Sequence, residues 1–219
     1  MDRFVSREQW GATSRGATPT THPIGQTLGV TFHWEGPHMG AFDHSECAGK
    51  VRGIQTFHKV SRGWADIAYN FLVCPHGYLF EGRGVGVKSA ANGDTQPNDD
   101  WYAVCYLGGE NDGFTEEGKA GFTFAVQLLR KAGAGPKVNG HRDHKATLCP
   151  GPLVYAWLQT ADFSEQPAKP AVTAKDREQF QTKRERIRDI AKRLKTSPVP
   201  RAAALRDQLL QSLKNTRSK

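Results

Sequence analysis

The sequence lacks three features that would each decide its class. Its 219 residues contain no run of 18 apolar residues, so there is no candidate for a transmembrane helix. The opening segment MDRFVSREQWGA has no apolar stretch typical of a secretory signal, so we expect synthesis in a cytoplasm without that export route. Four cysteines (Cys47, Cys74, Cys105 and Cys149) are too few and too scattered for a disulfide scaffold.

Aromatic residues and negative charge are both scarce in the last quarter of the chain. Residues 1–163 hold 15 Lys+Arg and 16 Asp+Glu, whereas residues 164–219 hold 15 and 6, so nearly all of the +8 net charge lies in this quarter. Phe180 is the only aromatic residue after Phe163. This contrast predicts a globular domain at 1–163, a Pro-bearing linker at 164–172 and a basic helical tail at 173–219.

Interleaved strand and helix patterns predict a mixed α/β domain, with a central sheet flanked by helices. Strands are predicted at 28–33, 67–73, 78–81, 101–107 and 137–139, the second and third forming a hairpin. Helices are predicted at 43–60, from an N-cap at Thr115 to Gly133, and from Pro152 onward. Residues 89–100, with their Asn-Gly and Asn-Asp pairs, are predicted to be a polar loop.

Two histidines and one cysteine suggest a metal site. His33 ends a predicted strand, His141 lies in the segment NGHRDH, and Cys149 follows eight residues later in TLCPG. Two imidazoles and a thiolate suit Zn²⁺, and three protein ligands leave the fourth position that catalytic zinc sites keep for water. Such a zinc ion lowers the pKa of water to about 7 and polarises a carbonyl. Spacing alone favours the other interpretation, a buried free thiol and two unrelated histidines.

Seven short motifs lie along the chain, two of which contain His141 and Cys149. They are SREQWGA (6–12), IQTFH (54–58), RGWADIAYNFLV (62–73), HG (76–77), EGRG (81–84), GHRD (140–143) and TLCPG (147–151). Together, over residues 4–160, they resemble the zinc amidases of the peptidoglycan recognition protein family. That family includes phage lysozymes that act as N-acetylmuramoyl-L-alanine amidases.

The resemblance implies a zinc site at one edge of the sheet, with His33, His141 and Cys149 as ligands. It also implies that Tyr69 and Thr147 are catalytic, Tyr69 by relaying a proton and Thr147 by donating to the carbonyl oxygen. Thr147 brings no positive charge, whereas some phage relatives have lysine there. Trp34 stands where many relatives have a second histidine, and His144 is expected to be a solvated loop residue.

The resemblance further implies that a substrate groove contains His58, Arg62, Gly63 and Trp64. In the family, a Gly-Trp pair at this position goes with stem peptides that contain meso-diaminopimelate. An arginine can pair bidentately with the extra carboxylate of that residue. From the residues themselves, Trp64 packed in the core and Arg62 as a solvated charge remain alternatives.

The resemblance favours a zinc-dependent hydrolase that cuts the amide between N-acetylmuramic acid and L-alanine in bacterial peptidoglycan. A phage endolysin, made in the host cytoplasm and acting on the wall after release, fits best, although an autolysin remains open. Two other functions compete with it: a wall-binding module without catalysis, and a Cys/His hydrolase with Cys149 as nucleophile. Cys74 and Cys105 are expected to be free buried thiols, and Cys47 has no obvious partner. The absence of the disulfide common in secreted animal relatives fits a reducing cytosol.

The basic tail carries two apolar stripes at helical spacing, separated by Ser197-Pro198-Val199-Pro200, which predicts a helical hairpin. Three alternatives remain open for it. It could be a solvated helical pair, an electrostatic contact with anionic wall polymers or membrane surfaces, or a short coiled coil between copies. The positive charge of the tail would also allow nucleic-acid binding. No motif supports it, and we expect no nucleic-acid partner.

Overall fold

The computed structural model describes residues 3–22, 26–164, 185, 187–192, 195, 206–208 and 210. The chain divides into two units, Asp2–Glu165 and a second one that contains Met1 and residues 166–219. Residues 187–192 of the second unit are helical, and most of the predicted hairpin lies outside the described residues. None of the helices in the described ranges has the length and apolar character needed to cross a bilayer. The linker and tail boundaries stay predictions.

A six-stranded sheet with helices around it forms the first unit. The strands are β1 (Phe4–Val5), β2 (Gly29–Gly36), β3 (Phe71–Val73), β4 (Leu79–Glu81), β5 (Trp101–Gly109) and β6 (Lys137–Gly140). The helices are α1 (Arg7–Trp10), α2 (His44–Thr56), α3 (Thr95–Asp100), α4 (Glu116–Lys131) and α5 (Pro152–Leu158). The strand order is β1-β4-β3-β5-β2-β6, and every pair is parallel except the β3–β4 hairpin. The predicted mixed α/β class is confirmed.

Alternation along the strands gives the sheet two apolar faces. Val30, Phe32 and Val104 lie on one face and pack with buried residues of α4 and α5. The opposite face carries Cys105, which packs with buried residues of α1 and α2. His33 lies in register with Cys105 across the β2–β5 pair and therefore shares this second face.

Two sequence predictions of local structure were wrong. Only the second half of the predicted strand 67–73 is a strand. The Ile67 amide donates to Asp66 Oδ1 and the Ala68 amide to His58 Nδ1, so these two amides bond side chains instead of a sheet ladder. Residues 89–100 are not simply a polar loop, since they contain α3 and three buried polar side chains. These are Ser89, Asn92 and Asn98.

The predicted starts of α4 and α5 are confirmed. Thr115 Oγ1 accepts from the Gly118 amide at 3.0 Å, as expected for the N-cap of α4. Pro152 occupies the first position of α5. The helix predicted at 43–60 is α2, continued by a single π-helical segment, Phe57–Ser61. This segment carries His58, whose ring centroid lies 5.7 Å from that of Tyr69.

Candidate metal centre and adjoining groove

Strand register brings the two predicted histidine ligands together. In the parallel β2–β6 pair, Phe32 lies opposite Gly140. The residue that follows each of these is a histidine, so His33 and His141 are neighbours, with ring centroids 4.6 Å apart. Two residues more than a hundred positions apart in sequence thus meet where an interior strand and an edge strand lie side by side.

The turn after His141 returns the chain to the same place. The Arg142 amide donates to the Cys149 carbonyl at 3.0 Å, and Arg142 Nη2 donates to the Leu148 carbonyl at 2.7 Å. These bonds hold Cys149 Sγ 3.6 Å from His33 Nδ1. One ring nitrogen of each histidine and the cysteine sulfur all lie within 4.8 Å of one another. The structure therefore assembles a His₂Cys cluster from the three predicted ligands.

Asn92 fixes which nitrogen of His33 carries the proton. Its Nδ2 faces three oxygen acceptors, which are Ser89 Oγ, the Pro97 carbonyl and the Trp101 carbonyl, at 3.0 to 3.1 Å. Its Oδ1 must then be the atom 2.8 Å from His33 Nε2, where it accepts the N–H. The lone pair of His33 is left on Nδ1, directed at the Cys149 sulfur. Asn92 thus leaves Nδ1 of His33 available to bind a metal ion, as the hydrogen-bond partners of metal-binding histidines do.

Burial sets the protonation state of the cluster. It lowers the pKa of His33 to about 3 and that of His141 to about 4, so both rings are neutral at pH 7. The pKa of the Cys149 thiol is raised to about 12 by the same desolvation. A thiolate–imidazolium ion pair is therefore disfavoured, and a metal ion would have to displace the thiol proton.

His141 contributes a buried nitrogen that the protein leaves unused. Its Nε2 atom is buried, and no hydrogen-bond partner for it exists among the described residues. Buried polar atoms without partners are rare in folded proteins and call for an explanation such as a role in binding an ion. Together with the neutral rings and the converging sulfur, this atom makes the donor set fit a zinc ion.

A row of rings leads from the cluster to the surface. From His33, the ring centroid of Tyr69 is 5.4 Å away, His58 follows at 5.7 Å from Tyr69, and Trp64 stacks on His58 at 4.9 Å. Trp64 is 39% exposed. We call these four residues the ring row. It joins the cluster to a predicted groove residue, and it contradicts a fully buried packing role for Trp64.

The protonation of Tyr69 and His58 makes both of them donors at neutral pH. Burial raises the pKa of Tyr69 well above its ordinary value, so its hydroxyl keeps the proton. Burial, with the nearby charges of Arg83 and Arg62, lowers the pKa of His58 to about 4. Since Nδ1 of the neutral His58 accepts from the Ala68 amide, its proton lies on Nε2.

The other predicted site residues have different settings. Thr147 Oγ1 accepts from the Cys149 amide at 3.2 Å, which leaves its own O–H free to donate. Arg62 ends the π-helical segment, and its guanidinium lies 5.3 Å from the centroid of the Phe57 ring. Gly63 has a φ of +67°, which favours glycine. Tyr69 therefore lies beside the cluster, whereas Arg62 lies against the exposed ring of Phe57.

Two further residues, Trp34 and His144, lie near the cluster. The large ring of Trp34 fits because Gly151 has no side chain: a Cβ there would lie 2.3 Å from Trp34 Cζ3. His144 is not a solvated loop residue, since its Nε2 lies 2.8 Å from Thr31 Oγ1 and its ring centroid 5.0 Å from that of Trp101. Its bond to β2 pins the turn that carries His141.

Asn92 is the functional residue that sequence reasoning missed. It lies in a segment whose composition is typical of a solvent-exposed loop. The available signal was the repeated amide and hydroxyl side chains directly before a buried strand, Ser89, Asn92 and Asn98. Such side chains can equally bond water, and only the fold shows that they bond one another.

Comparisons with known proteins found relatives of similar sequence and fold, although no family model matches the chain. The chain is 30% identical to peptidoglycan recognition protein 1 of Mus musculus over 164 residues, covering 72% of this chain and 86% of that protein. It is 32% identical to peptidoglycan-recognition protein SC2 of Drosophila simulans over 164 residues, covering 72% and 85%. A similar fold is found in the crystal structure of peptidoglycan recognition protein-LE in complex with tracheal cytotoxin. The TM-score is 0.67 at 22% identity, covering 74% of this chain and 96% of that one.

The fold and the site together define an α/β domain with a His₂Cys cluster at the end of two parallel strands. The sequence identity to two relatives, over 86% and 85% of their lengths, identifies the family. The chain belongs to the peptidoglycan recognition protein family.

Proposed function

We propose that this protein is a zinc-dependent N-acetylmuramoyl-L-alanine amidase. The observation that carries the proposal is the convergence of His33, His141 and Cys149 within 4.8 Å beside Tyr69. Three protein donors leave a coordination position for water or substrate, as catalytic zinc sites require. A bound zinc ion would supply Lewis-acid polarisation of the scissile carbonyl and a water of lowered pKa. Cleavage would release the peptide stem from N-acetylmuramic acid.

The remaining chemistry belongs to two hydroxyl groups. The Tyr69 hydroxyl stays protonated at neutral pH and would donate a hydrogen bond to the oxygen that gains negative charge, then relay a proton. The Thr147 hydroxyl would donate to the same oxygen, since its oxygen accepts from the Cys149 amide and its O–H remains available as a donor. Both groups act by holding or moving protons at defined atoms.

The groove would bind the peptidoglycan stem through the outer part of the ring row. Trp64 offers an exposed aromatic face and His58 an N–H donor from its Nε2 atom. Arg62 would pair with a carboxylate of the stem. The relative peptidoglycan recognition protein-LE was crystallised with a monomeric diaminopimelic acid-type peptidoglycan, which supports that stem type as the substrate.

A thiol hydrolase is the second candidate, because Cys149, His33 and Asn92 form a hydrogen-bonded series. A nucleophilic cysteine needs a thiolate, usually paired with a protonated histidine. Here burial moves both pKa values away from that ion pair. A thiol mechanism also gives no role to the unpartnered Nε2 of His141. A zinc enzyme gives a role to His33, His141 and Cys149. A wall-binding module without catalysis gives a role to none of these three residues.

Product analysis tests the reaction. Purified diaminopimelate-type peptidoglycan is incubated with the full chain, and released groups are labelled and quantified. We expect new N-terminal alanine without new reducing sugar, and a loss of release on chelation that zinc restores. New reducing ends would identify a glycosidase, and an absence of any release with zinc bound would indicate a binding module.

We also propose the setting in which the enzyme works. It would be a phage endolysin, made in the host cytoplasm and reaching the wall after release, and its four free cysteines fit a reducing compartment. The domain at 1–163 would carry the catalysis. The linker at 164–172 would join it to the basic tail at 173–219, which would contact anionic wall polymers or the membrane surface.

Replacing Asn92 by alanine is expected to weaken zinc binding about 10- to 100-fold, the usual effect of losing an outer partner of a metal ligand. His33 would lose the acceptor that fixes its proton on Nε2. The measurement is the half-maximal free zinc concentration for amidase activity in metal buffers.

Asn98→Ala is the matched control for this variant. Asn98 belongs to the same buried network, with its Oδ1 accepting from the Asn92 amide, but it makes no contact with His33. We expect it to lower stability while leaving the zinc requirement near that of the unmodified chain. Equal zinc requirements in the two variants would show that Asn92 acts only through folding.

A further inference from the structure

A second group of metal-ligating side chains lies away from the His₂Cys cluster. His44, Cys47, Cys74 and His76 each offer one ligand atom, and the four atoms lie within 4.8 Å of one another. Cys47 Sγ is 3.4 Å from His76 Nδ1. Both sulfurs are buried, and both cysteines are free thiols. We call these residues the second cluster.

Two local structures place the four residues. His44 and Cys47 are three positions apart on the first turn of α2 and share one side of that helix. Cys74 and His76 belong to the turn between β3 and β4. That turn is closed by the Gly77 amide donating to the Cys74 carbonyl at 2.9 Å. Packing of Cys47 and Cys74 in one apolar cluster brings the helix start and the turn together.

Neighbouring residues hold the second cluster in shape. The ring of Tyr78 stacks on that of His44, with centroids 3.9 Å apart. Thr115 Oγ1 donates to the Pro75 carbonyl at 2.6 Å and fixes the turn against the start of α4. These contacts position donors in the way that partners around a metal site do.

The donor set points to zinc rather than to a disulfide. Two thiols and two imidazoles form the Cys₂His₂ set of structural zinc sites, in which four protein ligands close the tetrahedron. A disulfide would use the two sulfurs and leave the convergence of His44 and His76 without purpose. His44 is exposed and gives an ion a path to the buried sulfurs. Binding would release thiol protons to solvent and needs no oxidant or reductant.

We propose that His44, Cys47, Cys74 and His76 form a structural zinc centre that joins the start of α2 to the β3–β4 turn. The centre is closed, in contrast to the three-ligand cluster of the proposed amidase. It would stabilise two elements near the groove, since α2 continues into the segment carrying His58 and β3 follows the loop carrying Tyr69. Its occupancy does not depend on the proposed amidase activity.

Metal counting on the full chain tests the proposal. Protein purified with reductant and without chelator is analysed for zinc per chain by mass spectrometry of the metal. With both sites filled, the unmodified chain holds about two zinc ions, and Cys149→Ser holds about one, in the second cluster. Adding Cys74→Ser to Cys149→Ser is expected to remove the remaining ion. Cys105→Ser is the matched control, a buried cysteine in neither cluster, and is expected to keep both ions.

A second variant protects the test against loss of folding. His44→Ala removes an exposed ligand without opening the core, so in the Cys149→Ser background it is expected to weaken or remove the remaining zinc while the chain stays folded. Cobalt substitution in Cys149→Ser should give the visible spectrum of tetrahedral Co²⁺ with thiolate ligands. Absence of zinc and of that spectrum in folded Cys149→Ser, or a Cys47–Cys74 disulfide in its mass, would overturn the proposal.

Amidase assays on the same preparations separate the two proposals. Zinc in the second cluster of a chain that releases no alanine would sustain the structural centre and reject the amidase. An active chain that holds a single zinc ion, lost in Cys149→Ser, would sustain the amidase and reject the structural centre.

Discussion

Replacing Cys149 by serine is expected to abolish amidase turnover, by at least about 10³-fold, together with the zinc bound at His33 and His141. A serine hydroxyl does not ionise at neutral pH and is a poor zinc donor, so two imidazoles would remain. The measurement is release of N-terminal alanine from peptidoglycan at saturating substrate, with the zinc content of the same sample. Retained turnover in a folded Cys149→Ser protein would contradict the proposed site.

Cys149→Asp separates the zinc enzyme from the thiol hydrolase. A carboxylate is also a zinc ligand and is close to cysteine in length, so this variant should keep zinc at the cluster and a measurable fraction of the activity. With a nucleophilic thiol, aspartate and serine would be equally inactive. If both variants are inactive although Cys149→Asp keeps its zinc, the thiol mechanism is favoured. The comparison uses one position and one assay, so differences in substrate access do not enter.

Helix ends and the hairpin were predictable because their determinants are local. Thr115 caps α4 through its own hydroxyl, and Pro152 begins α5 because its ring fits the first helical position. The start of the strand predicted at 67–73 was not predictable in this way, since the observed strand begins at Phe71. Its first amides bond the side chains of Asp66 and His58, and this competition with the ladder depends on the fold.

The candidate metal site was likewise predictable in its residues but not in its geometry. Residue types and motif order were enough to name His33, His141 and Cys149, but their meeting depends on the β2–β6 register and on the Arg142–Cys149 backbone bond. Neither is visible in the sequence. Asn92 was missed because its partners are backbone carbonyls and a histidine 59 positions away.

Cys47 makes long-range contacts that could not be predicted from the sequence. From the sequence it had no obvious partner, whereas the structure places it 3.4 Å from a nitrogen of His76 and in one apolar cluster with Cys74. The pairing depends on a helix start meeting a turn about thirty residues later. Local patterns predict each of these two elements, but not their contact.

Tyr69→Phe is expected to lower kcat about 10²-fold or more while zinc content and KM change little, because it removes a proton donor needed mainly in the transition state. Phenylalanine keeps the ring contacts with His33 and His58, so packing around the cluster is retained. The measurement is steady-state release of alanine, with zinc determined on the same protein.

Tyr106→Phe is the matched control for the loss of a tyrosine hydroxyl. Its hydroxyl donates to the Gly113 carbonyl at 3.0 Å, and its ring packs in the apolar cluster on the opposite face of the sheet from His33. Its hydroxyl also accepts from the Thr115 amide, so we expect the variant to lose about 1 kcal/mol of stability for each hydrogen bond removed, with kcat unchanged. If Tyr69→Phe kept its full kcat with zinc bound, Tyr69 would be a packing residue. The proton relay would then have to come from Thr147 or from solvent.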